Sequence, residues 1–151
     1  MGLRFDKDVE GNYSFIKELF FTHKMRELQI ESWSQDILLP LLEMQFNSQR
    51  SSYKRQYPNA EEYIVYMDEL PVGWLILDNS QSYHIVNIMV HEAYRGNNIG
   101  SEIVRDVLCK ADREGKQVTL FVEKNNPAQK LYSRLGFKIQ TSDELFLKMA
   151  I

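Results

Sequence analysis

The sequence predicts an α/β fold with a mixed, mostly antiparallel sheet flanked by helices, in the order β-α-α-β-β-β-α-β-α-β-β. Apolar residues recur at helical spacing before Pro58, and three strand-like runs follow between residues 63 and 90. Helical and strand patterns then alternate to the C-terminus. No stretch rich in Pro, Gly or Ser divides the 151 residues, so we expect one domain over residues 1–151.

The N-terminal part is expected to form one short strand and two helices. Residues 3–5 alternate between apolar and charged, and apolar residues at helical spacing cover residues 14–30. Ser34 is a candidate N-cap for a second helix that reaches about residue 56. Pro40 lies inside this second pattern and predicts a kink or a later helix start, because proline lacks a backbone N–H.

The middle of the chain is expected to form three consecutive strands. Residues 63–67 and 72–77 are two apolar runs joined by a turn, which is typical of an antiparallel hairpin. Residues 83–90 follow a second polar turn and are almost continuously apolar towards their end. Such a run is typical of a strand that is covered on both faces, so we expect it at the centre of the sheet.

The last third is expected to contain two helices and three short strands. The helix over residues 99–113 is amphipathic, and Gly115 follows it at a position where glycine commonly ends helices. A second helix opens at Asn126–Pro127 and ends before Gly136. The strands are expected over residues 117–122, 137–139 and 145–147.

Composition and charge exclude several classes of function. The chain is 44% hydrophobic and 26% charged with a net charge of −3, so it lacks the basic excess expected for binding nucleic acid or an anionic membrane. The single cysteine, Cys109, allows no internal disulfide and no cysteine metal cluster; we expect a buried structural thiol and no metal site. The first fifteen residues carry charges throughout, so no signal peptide is expected and the predicted location is the cytoplasm.

The segment YRGNNIG, residues 94–100, joins the third strand of the middle region to the amphipathic helix. Gly96 and Asn98 tolerate a positive φ, which lets successive backbone N–H groups point the same way at a helix N-terminus. Arg95 adds a forked donor that suits phosphate oxygens. The segment therefore predicts a phosphate-binding loop, although glycine turns between a strand and a helix also occur for packing alone.

Two common phosphate-binding motifs do not fit this segment. A P-loop needs GxxxxGK[ST], and no lysine follows Gly100. A dinucleotide-binding fold needs GxGxxG directly after an N-terminal strand, whereas here two helices and three strands come first.

Two blocks resemble the GNAT superfamily of acetyl-CoA-dependent N-acetyltransferases. RGNNIG, residues 95–100, is similar to the signature [QR]-x-x-G-x-[GA], with Asn98 in place of the central glycine. Residues 125–137, NNPAQKLYSRLGF, are similar to N-x-x-A-x-x-L-Y-x-x-x-G-F without a gap. Asparagine is the residue after glycine that most readily adopts a left-handed conformation, so we expect the loop to keep its shape.

The resemblance implies that acetyl-CoA is the cosubstrate. It places the pyrophosphate on backbone amides of the signature loop, and the pantetheine arm beside the backbone of residues 89 and 90. The residues that it assigns to cofactor binding are Met89, Val90, Arg95, Gly96, Asn97, Asn98, Ile99, Gly100, Ser101, Asn125 and Ala128. Asn125 would also serve as the cap of the helix that follows it.

The resemblance further implies that Tyr132 protonates the departing thiolate, while packing on the sheet is the ordinary role of such a tyrosine. No acidic residue occurs between Tyr83 and Val90, where relatives often carry the base. His84 is therefore the best candidate for the base, because its pKa lies naturally near neutrality, and Asn87 is expected to hold a water molecule.

The predicted function is direct transfer of an acetyl group to an amine of a small molecule or a protein. The alternatives are a non-catalytic module that binds or senses acyl-CoA and a purely structural domain, although the latter leaves both motif blocks unexplained. The sequence does not identify the acceptor, and it allows the protein to be a homodimer. The residues expected to line an acceptor pocket are Trp33, Arg50, Tyr53, Lys54, Arg55 and Tyr57.

Overall fold

A seven-stranded sheet organises the computed structural model, which describes residues 2–151. The strands are β1 (Leu3–Asp6), β2 (Glu61–Met67), β3 (Leu70–Asp78), β4 (Tyr83–Val90), β5 (Val118–Glu123), β6 (Lys138–Ser142) and β7 (Phe146–Ala150). The helices are α1 (Tyr13–Leu28), α2 (Gln35–Gln56), α3 (Ile99–Arg113) and α4 (Ala128–Arg134). Single 3₁₀ turns span Glu10–Asn12 and Glu92–Tyr94.

The strands lie in the order β1-β2-β3-β4-β5-β7-β6, and every neighbouring pair is antiparallel except β4 and β5. The parallel pair arises because α3 connects β4 to β5 as a crossover, which returns the chain to the same end of the sheet. This arrangement confirms the predicted mixed, mostly antiparallel sheet and the order of its elements. It also places β4 at the centre, as its apolar sequence predicts.

Helices cover both faces of the sheet. On one face, α3 and α4 bury side chains such as Ile103 and Val107 against β3, β4, β5 and β7. On the other face, α1 and α2 bury Phe20 and Phe46 against Ile64 and other side chains of β2 and β3. None of the helices within residues 2–151 is long and apolar enough to cross a membrane.

Two expectations need correction. The second helix begins at Gln35, after Ser34 as its N-cap, with Pro40 inside it, so of the two predicted alternatives, a kink or a later start, the later start is wrong. Pro40 lies in the second turn, where a missing N–H removes only one bond, to the carbonyl of Asp36. Cys109 is exposed rather than buried, because it lies on the solvent side of the amphipathic helix α3.

An ion pair fastens α2 to the sheet. Arg50 donates two hydrogen bonds to the carboxylate of Glu62 on β2, at 2.8 and 3.2 Å. The indole N–H of Trp74 on β3, which is fully buried, donates to the same carboxylate at 3.0 Å. The two charged side chains are only 17% and 21% exposed, so solvent screens their attraction less than at an open surface.

Arg50→Met should lower the free energy of unfolding by about 1–2 kcal/mol, because Glu62 keeps its charge in a partly buried place and loses its main partner. Lys54→Met is the matched control: Lys54 lies one turn later on α2 and is exposed. Its replacement should change stability by less than about 0.5 kcal/mol. Urea unfolding measures both variants, and equal effects would show that the ion pair does not fasten α2.

Candidate functional site

The strands β4 and β5 separate soon after they begin to pair. Tyr83, His84 and Ile85 pair with residues 118–120, and no later residue of β4 pairs with β5. On its other edge β4 stays paired with β3, but Ile76 pairs with Asn87 and Leu77 with Ile85. Val86 is therefore an extra residue, a β-bulge, and it lies at the point where the strands diverge.

The divergence opens a cleft of about 210 Å³ through the sheet. The diverging halves of β4 and β5 form its sides, and α1 lies on one face of it while Tyr132 of α4 lies on the other. Polar groups converge here from five elements, α1, α2, β4, β5 and α4, whereas the core on either side is apolar. A cleft of this kind, in which a few polar groups meet apolar walls, is the usual form of a small-molecule site.

The end of β4 offers backbone hydrogen-bonding groups to this cleft. The N–H of His91, directly after the strand, donates to the carbonyl of Val72 at 2.8 Å. Alternate residues of an antiparallel strand bond to the same neighbour, so the N–H and C=O groups of Val90 and Ile88 are directed away from β3. The backbone of Met89 is directed towards β3. Of the two residues expected to bind pantetheine through their backbones, the geometry favours Val90.

The signature loop has the conformation that its sequence predicts. Gly96 and Asn98 have φ values of 86° and 61°, both in the left-handed region. Asn98 is the N-cap of α3, yet its side chain makes no capping hydrogen bond. The first backbone hydrogen bond of the helix runs from the N–H of Glu102 to the carbonyl of Asn98. The N–H groups of residues 99–101 come before this bond and therefore have no partner within the helix. These groups can bind an anion, and the helix dipole favours one there.

The loop also has room for a ligand. An added Cβ at Gly96 would meet no atom within 4 Å, and one at Gly100 would meet Leu131 at 3.9 Å and Val90 at 4.0 Å. The N–H groups at the start of α3 lie close in space to Val90, since an added Cβ at Gly100 would be 4.0 Å from its side chain. An extended ligand with a phosphate at one end and amides along its length fits this sequence of donors and acceptors.

Tyr132 is held in the cleft wall by the end of α4. The N–H of Phe137 bonds to the carbonyl of Tyr132 at 3.0 Å, and Gly136 provides the left-handed residue, with φ 106°, that this helix ending needs. The rings of Tyr132 and Phe137 meet edge to face at 5.8 Å. Tyr132 is only 7% exposed, and within residues 2–151 its hydroxyl group has no hydrogen-bond partner. Burial raises the pKa of this phenol, so it stays protonated near neutral pH.

Two amide side chains in the cleft wall have an unpaired polar atom. Nδ2 of Asn87 and Oε1 of Gln49 are both buried and have no hydrogen-bond partner among the described residues. A buried amide group without a partner costs about 1–3 kcal/mol, so such groups normally bond to water or a ligand. Asn87 was expected from the sequence, whereas Gln49 of α2 was not.

His84 does not lie in the cleft with Tyr132. It precedes the divergence, where β4 still pairs with β5, and its Nδ1 contacts the hydroxyl of Thr119 at 2.8 Å. Its ring stacks on Tyr57 at 5.4 Å, beside a separate groove that also contains Asp78 and Lys148. Burial lowers the pKa of His84, yet this position does not support the expectation that it is the base.

Asn126, and not Asn125, bonds to the start of the helix that carries Tyr132. Oδ1 of Asn126 accepts the N–H of Ala128 at 2.9 Å, while Asn125 is exposed and makes no side-chain hydrogen bond with the described residues. The expected cap at Asn125 is therefore wrong, because Pro127 occupies the N-cap position and the side chain that binds the first turn of α4 is that of Asn126. Ala128 packs against the core below α4.

A second cavity beside the cleft is lined by some of the residues that were expected to form an acceptor pocket. Four of the six expected residues, Arg50, Tyr53, Lys54 and Tyr57, line a space of about 320 Å³, and Tyr53 also borders the cleft. Trp33 and Arg55 do not line it. Because Arg50 is bound to Glu62, Lys54 is the cation of this cavity that is available to a ligand.

His23 is a cleft residue that the sequence did not single out. It lies on α1 beside Phe20, Lys24 and Glu27, all of which border the cleft. His23, Lys24 and Glu27 follow Phe20 by three, four and seven residues, so the sequence alone places them on the same face of the helix as Phe20. The sequence does not show that this face meets an opening in the sheet.

Comparison with known proteins identifies the family. The model of the Acetyltransferase (GNAT) family matches residues 22–137. The chain belongs to the GNAT acetyltransferase family. No curated protein matches the sequence.

Solved structures of GNAT and other acetyltransferases share the fold. The PaiA N-acetyltransferase of Thermoplasma acidophilum, in complex with coenzyme A, is 14% identical, with 99% of this chain and 98% of that chain covered and a TM-score of 0.72. An acetyltransferase of Thermus thermophilus is 12% identical over 100% and 97%, with a TM-score of 0.70. A GNAT enzyme of Elizabethkingia anophelis with bound acetyl-CoA is 18% identical over 66% and 81%, with a TM-score of 0.57.

The family membership confirms the resemblance drawn from the two motif blocks. The GNAT fold is confirmed as well, and CoA or acetyl-CoA in two of these structures agrees with the predicted cosubstrate. No group of three or more His, Cys, Asp or Glu side chains within residues 2–151 is placed to hold a metal ion. The roles of individual site residues in this GNAT protein stay predictions.

Proposed function

We propose that residues 1–151 act as a single N-acetyltransferase domain that transfers an acetyl group directly from acetyl-CoA to an amine. The observation that supports this proposal is the cleft between β4 and β5. It brings the unpaired backbone of Ile88 and the protonated hydroxyl of Tyr132 together, and Val90 continues the same edge of β4 to the start of α3, where it lies beside Gly100. An enzyme that moves an acetyl group needs a binding site for the donor, a group that polarises the thioester and an acid for the leaving thiolate.

Acetyl-CoA would lie along the diverged edge of β4. The N–H groups of residues 99–101 and the side chain of Arg95 would bind the pyrophosphate. The free C=O groups of Val90 and Ile88 and the N–H of Ile88 would pair with the pantetheine amides, as an added strand would. The N–H of Val90 could also donate to the thioester oxygen and stabilise the negative charge that develops on it.

Tyr132 would protonate the sulfur of the leaving group. A neutral phenol is needed for this step, and burial keeps Tyr132 in that form because it raises the pKa of the hydroxyl group. Its hydroxyl has no competing partner among residues 2–151, so it is available to the sulfur. Asn87 would bind a water molecule or a polar atom of the acceptor through its unpaired amide.

A module that binds or senses acyl-CoA without turnover is the second candidate. One observation favours it: β4 carries no carboxylate where relatives often have a base. Such a module would bind acetyl-CoA equally well, so binding alone does not distinguish the two functions. Release of free CoA thiol does, because only an enzyme consumes the thioester.

Acetyl-CoA should stabilise the protein, by about 2.7 kcal/mol at 100 times the dissociation constant. Calorimetry measures the binding, and a thiol reagent then follows CoA release with a panel of amines. The panel should contain a diamine, an aminoglycoside, an arylalkylamine and a short peptide with a free N-terminus, since the acceptor is unidentified. No binding at millimolar acetyl-CoA would reject both candidate functions, whereas binding without thiol release by any amine would favour the sensing module.

Gly100→Val should weaken acetyl-CoA binding at least tenfold without unfolding the protein. The Cβ atom itself fits, but a branched side chain would crowd the N–H groups that face the pyrophosphate. Asn98→Gly is the matched control, because glycine keeps the positive φ and the asparagine side chain makes no capping bond. Calorimetry should find equal or tighter binding in this control. A tenfold loss from Asn98→Gly would mean that the side chain itself contacts the ligand.

Tyr132→Phe should lower the single-turnover rate by about 10²–10⁴-fold, the usual contribution of a general acid, with little change in acetyl-CoA affinity. The substitution keeps the ring and its contact with Phe137 and removes only the hydroxyl group. Single-turnover measurements are needed because a slow product release could conceal the effect. A rate within about twofold of wild type would show that the phenol serves only in packing.

The location of the protein and its oligomeric state are further parts of the proposal. We place it in the cytoplasm, which agrees with the single, exposed thiol of Cys109 in a reducing compartment. The proposed oligomeric state is either a monomer or a homodimer, and analytical ultracentrifugation would distinguish the two.

A further inference from the structure

His23 faces the cleft from the side of the sheet opposite Tyr132. It lies on α1, which packs on the face that α2 also covers, whereas α4 packs on the other face. The cleft passes through the sheet and is bordered by both residues. The side chain of His23 is 44% exposed, so one part of the ring is buried while the rest is open to solvent or a ligand.

Two contacts hold α1 across the end of β4, and they flank His23. On one side, Glu18 contacts Nε2 of His91 at 3.2 Å, and the ring of His91 stacks on Phe15. On the other side, Arg26 forms an ion pair with Glu92. Both His91 and Glu92 directly follow β4, so these contacts fix α1 over the open end of the cleft.

Charged groups from three elements face His23. Lys24 and Glu27 lie on α1 itself, with Oε2 of Glu27 at 3.5 Å from Nε2 of His23. Arg95 faces it from the signature loop and Glu123 from the end of β5. Burial is the largest influence and lowers the pKa of His23; the two carboxylates raise it, and the two cations lower it further. His23 is therefore mostly neutral at pH 7.

We propose that His23 accepts the proton that the acceptor ammonium must lose before it attacks the thioester. This inference rests on the acetyltransferase function proposed above. A primary amine has a pKa near 10, so on the order of one molecule in a thousand is neutral at pH 7. A neutral imidazole in the cleft takes this proton, and the carboxylate of Glu27 stabilises the imidazolium that forms.

The protons and electron pairs balance as follows. His23 takes one proton from R–NH₃⁺ and later releases it to solvent. The amine lone pair forms the C–N bond, and the C–S electron pair leaves with the sulfur. Tyr132 donates its proton to the sulfur and regains one from the nitrogen as the amide forms. The products are the N-acetylated amine, CoA thiol and one proton in solution.

The other groups of the site suit this step less well. A general base works best when its pKa lies near the working pH, which favours an imidazole over a carboxyl group. Asn87 does not titrate. His84 lies outside the cleft and contacts Thr119.

The test measures kcat/KM against pH for wild type, H23Q, E27Q and a control, using the amine from the panel that gives the fastest thiol release. Glutamine keeps the approximate size of histidine at position 23 but cannot accept a proton. The control is His91→Asn, which removes another imidazole beside a glutamate and keeps an acceptor for the N–H of Ala93.

Wild-type kcat/KM should rise with pH along an acid limb with an apparent pKa below 6.5 and then level off. H23Q should lose this limb, fall by about 10²–10⁴-fold at pH 7, and keep rising with pH towards the pKa of the amine. In E27Q the limb should move to lower pH, because the carboxylate that raises the pKa of His23 is gone. His91→Asn should keep the acid limb at the wild-type pH, because the imidazole of His91 does not border the cleft; any loss in rate would come from its contact with Glu18.

An H23Q enzyme within about twofold of wild type at pH 7, with the acid limb intact, would overturn the role of His23 and leave the acetyltransferase function standing. An unchanged or raised limb in E27Q would overturn it as well. Absence of thiol release by the wild-type protein with every amine would instead overturn the proposed function, and the role of His23 with it.

Discussion

The separation of β4 from β5 after three paired residues is the constraint on which the site depends. A parallel pair that continued to Val90 would satisfy the backbone groups of Ile88 and Val90 within the sheet and close the cleft. The bulge at Val86 increases the local twist and turns the rest of β4 away from β5. The unpaired edge is stable because it faces an opening, where water or a ligand can satisfy its hydrogen-bonding groups.

The helices give this opening two different sides. The face that carries α3 and α4 supplies the anion-binding N–H groups and the phenol of Tyr132, so it suits the donor. The face that carries α1 and α2 supplies ionisable and amide side chains, among them His23 and Gln49, so it suits the acceptor. The cleft connects the two sides, because it is bordered by residues of both faces.

The sequence predicted those features that depend on local conformation. Gly96 and Asn98 indicated a positive φ by residue type, and Gly136 indicated the helix ending that fixes Tyr132. Features that depend on strand pairing were not predictable in this way. His84 is a polar residue on the correct strand, but only the register shows that β4 and β5 are still paired there. His23 was missed because its neighbourhood depends on where α1 crosses the sheet.

Hydrogen exchange in the presence of acetyl-CoA tests most directly whether the diverged edge of β4 and the start of α3 form one donor site. The N–H groups of Ile88 and Val90 and those of residues 99–101 should exchange rapidly in the free protein and slowly in the complex. The groove beside His84 should be unaffected. Slower exchange only at that groove, or beside the cavity next to Arg50, with no change along β4 and α3 at saturating ligand, would contradict the account.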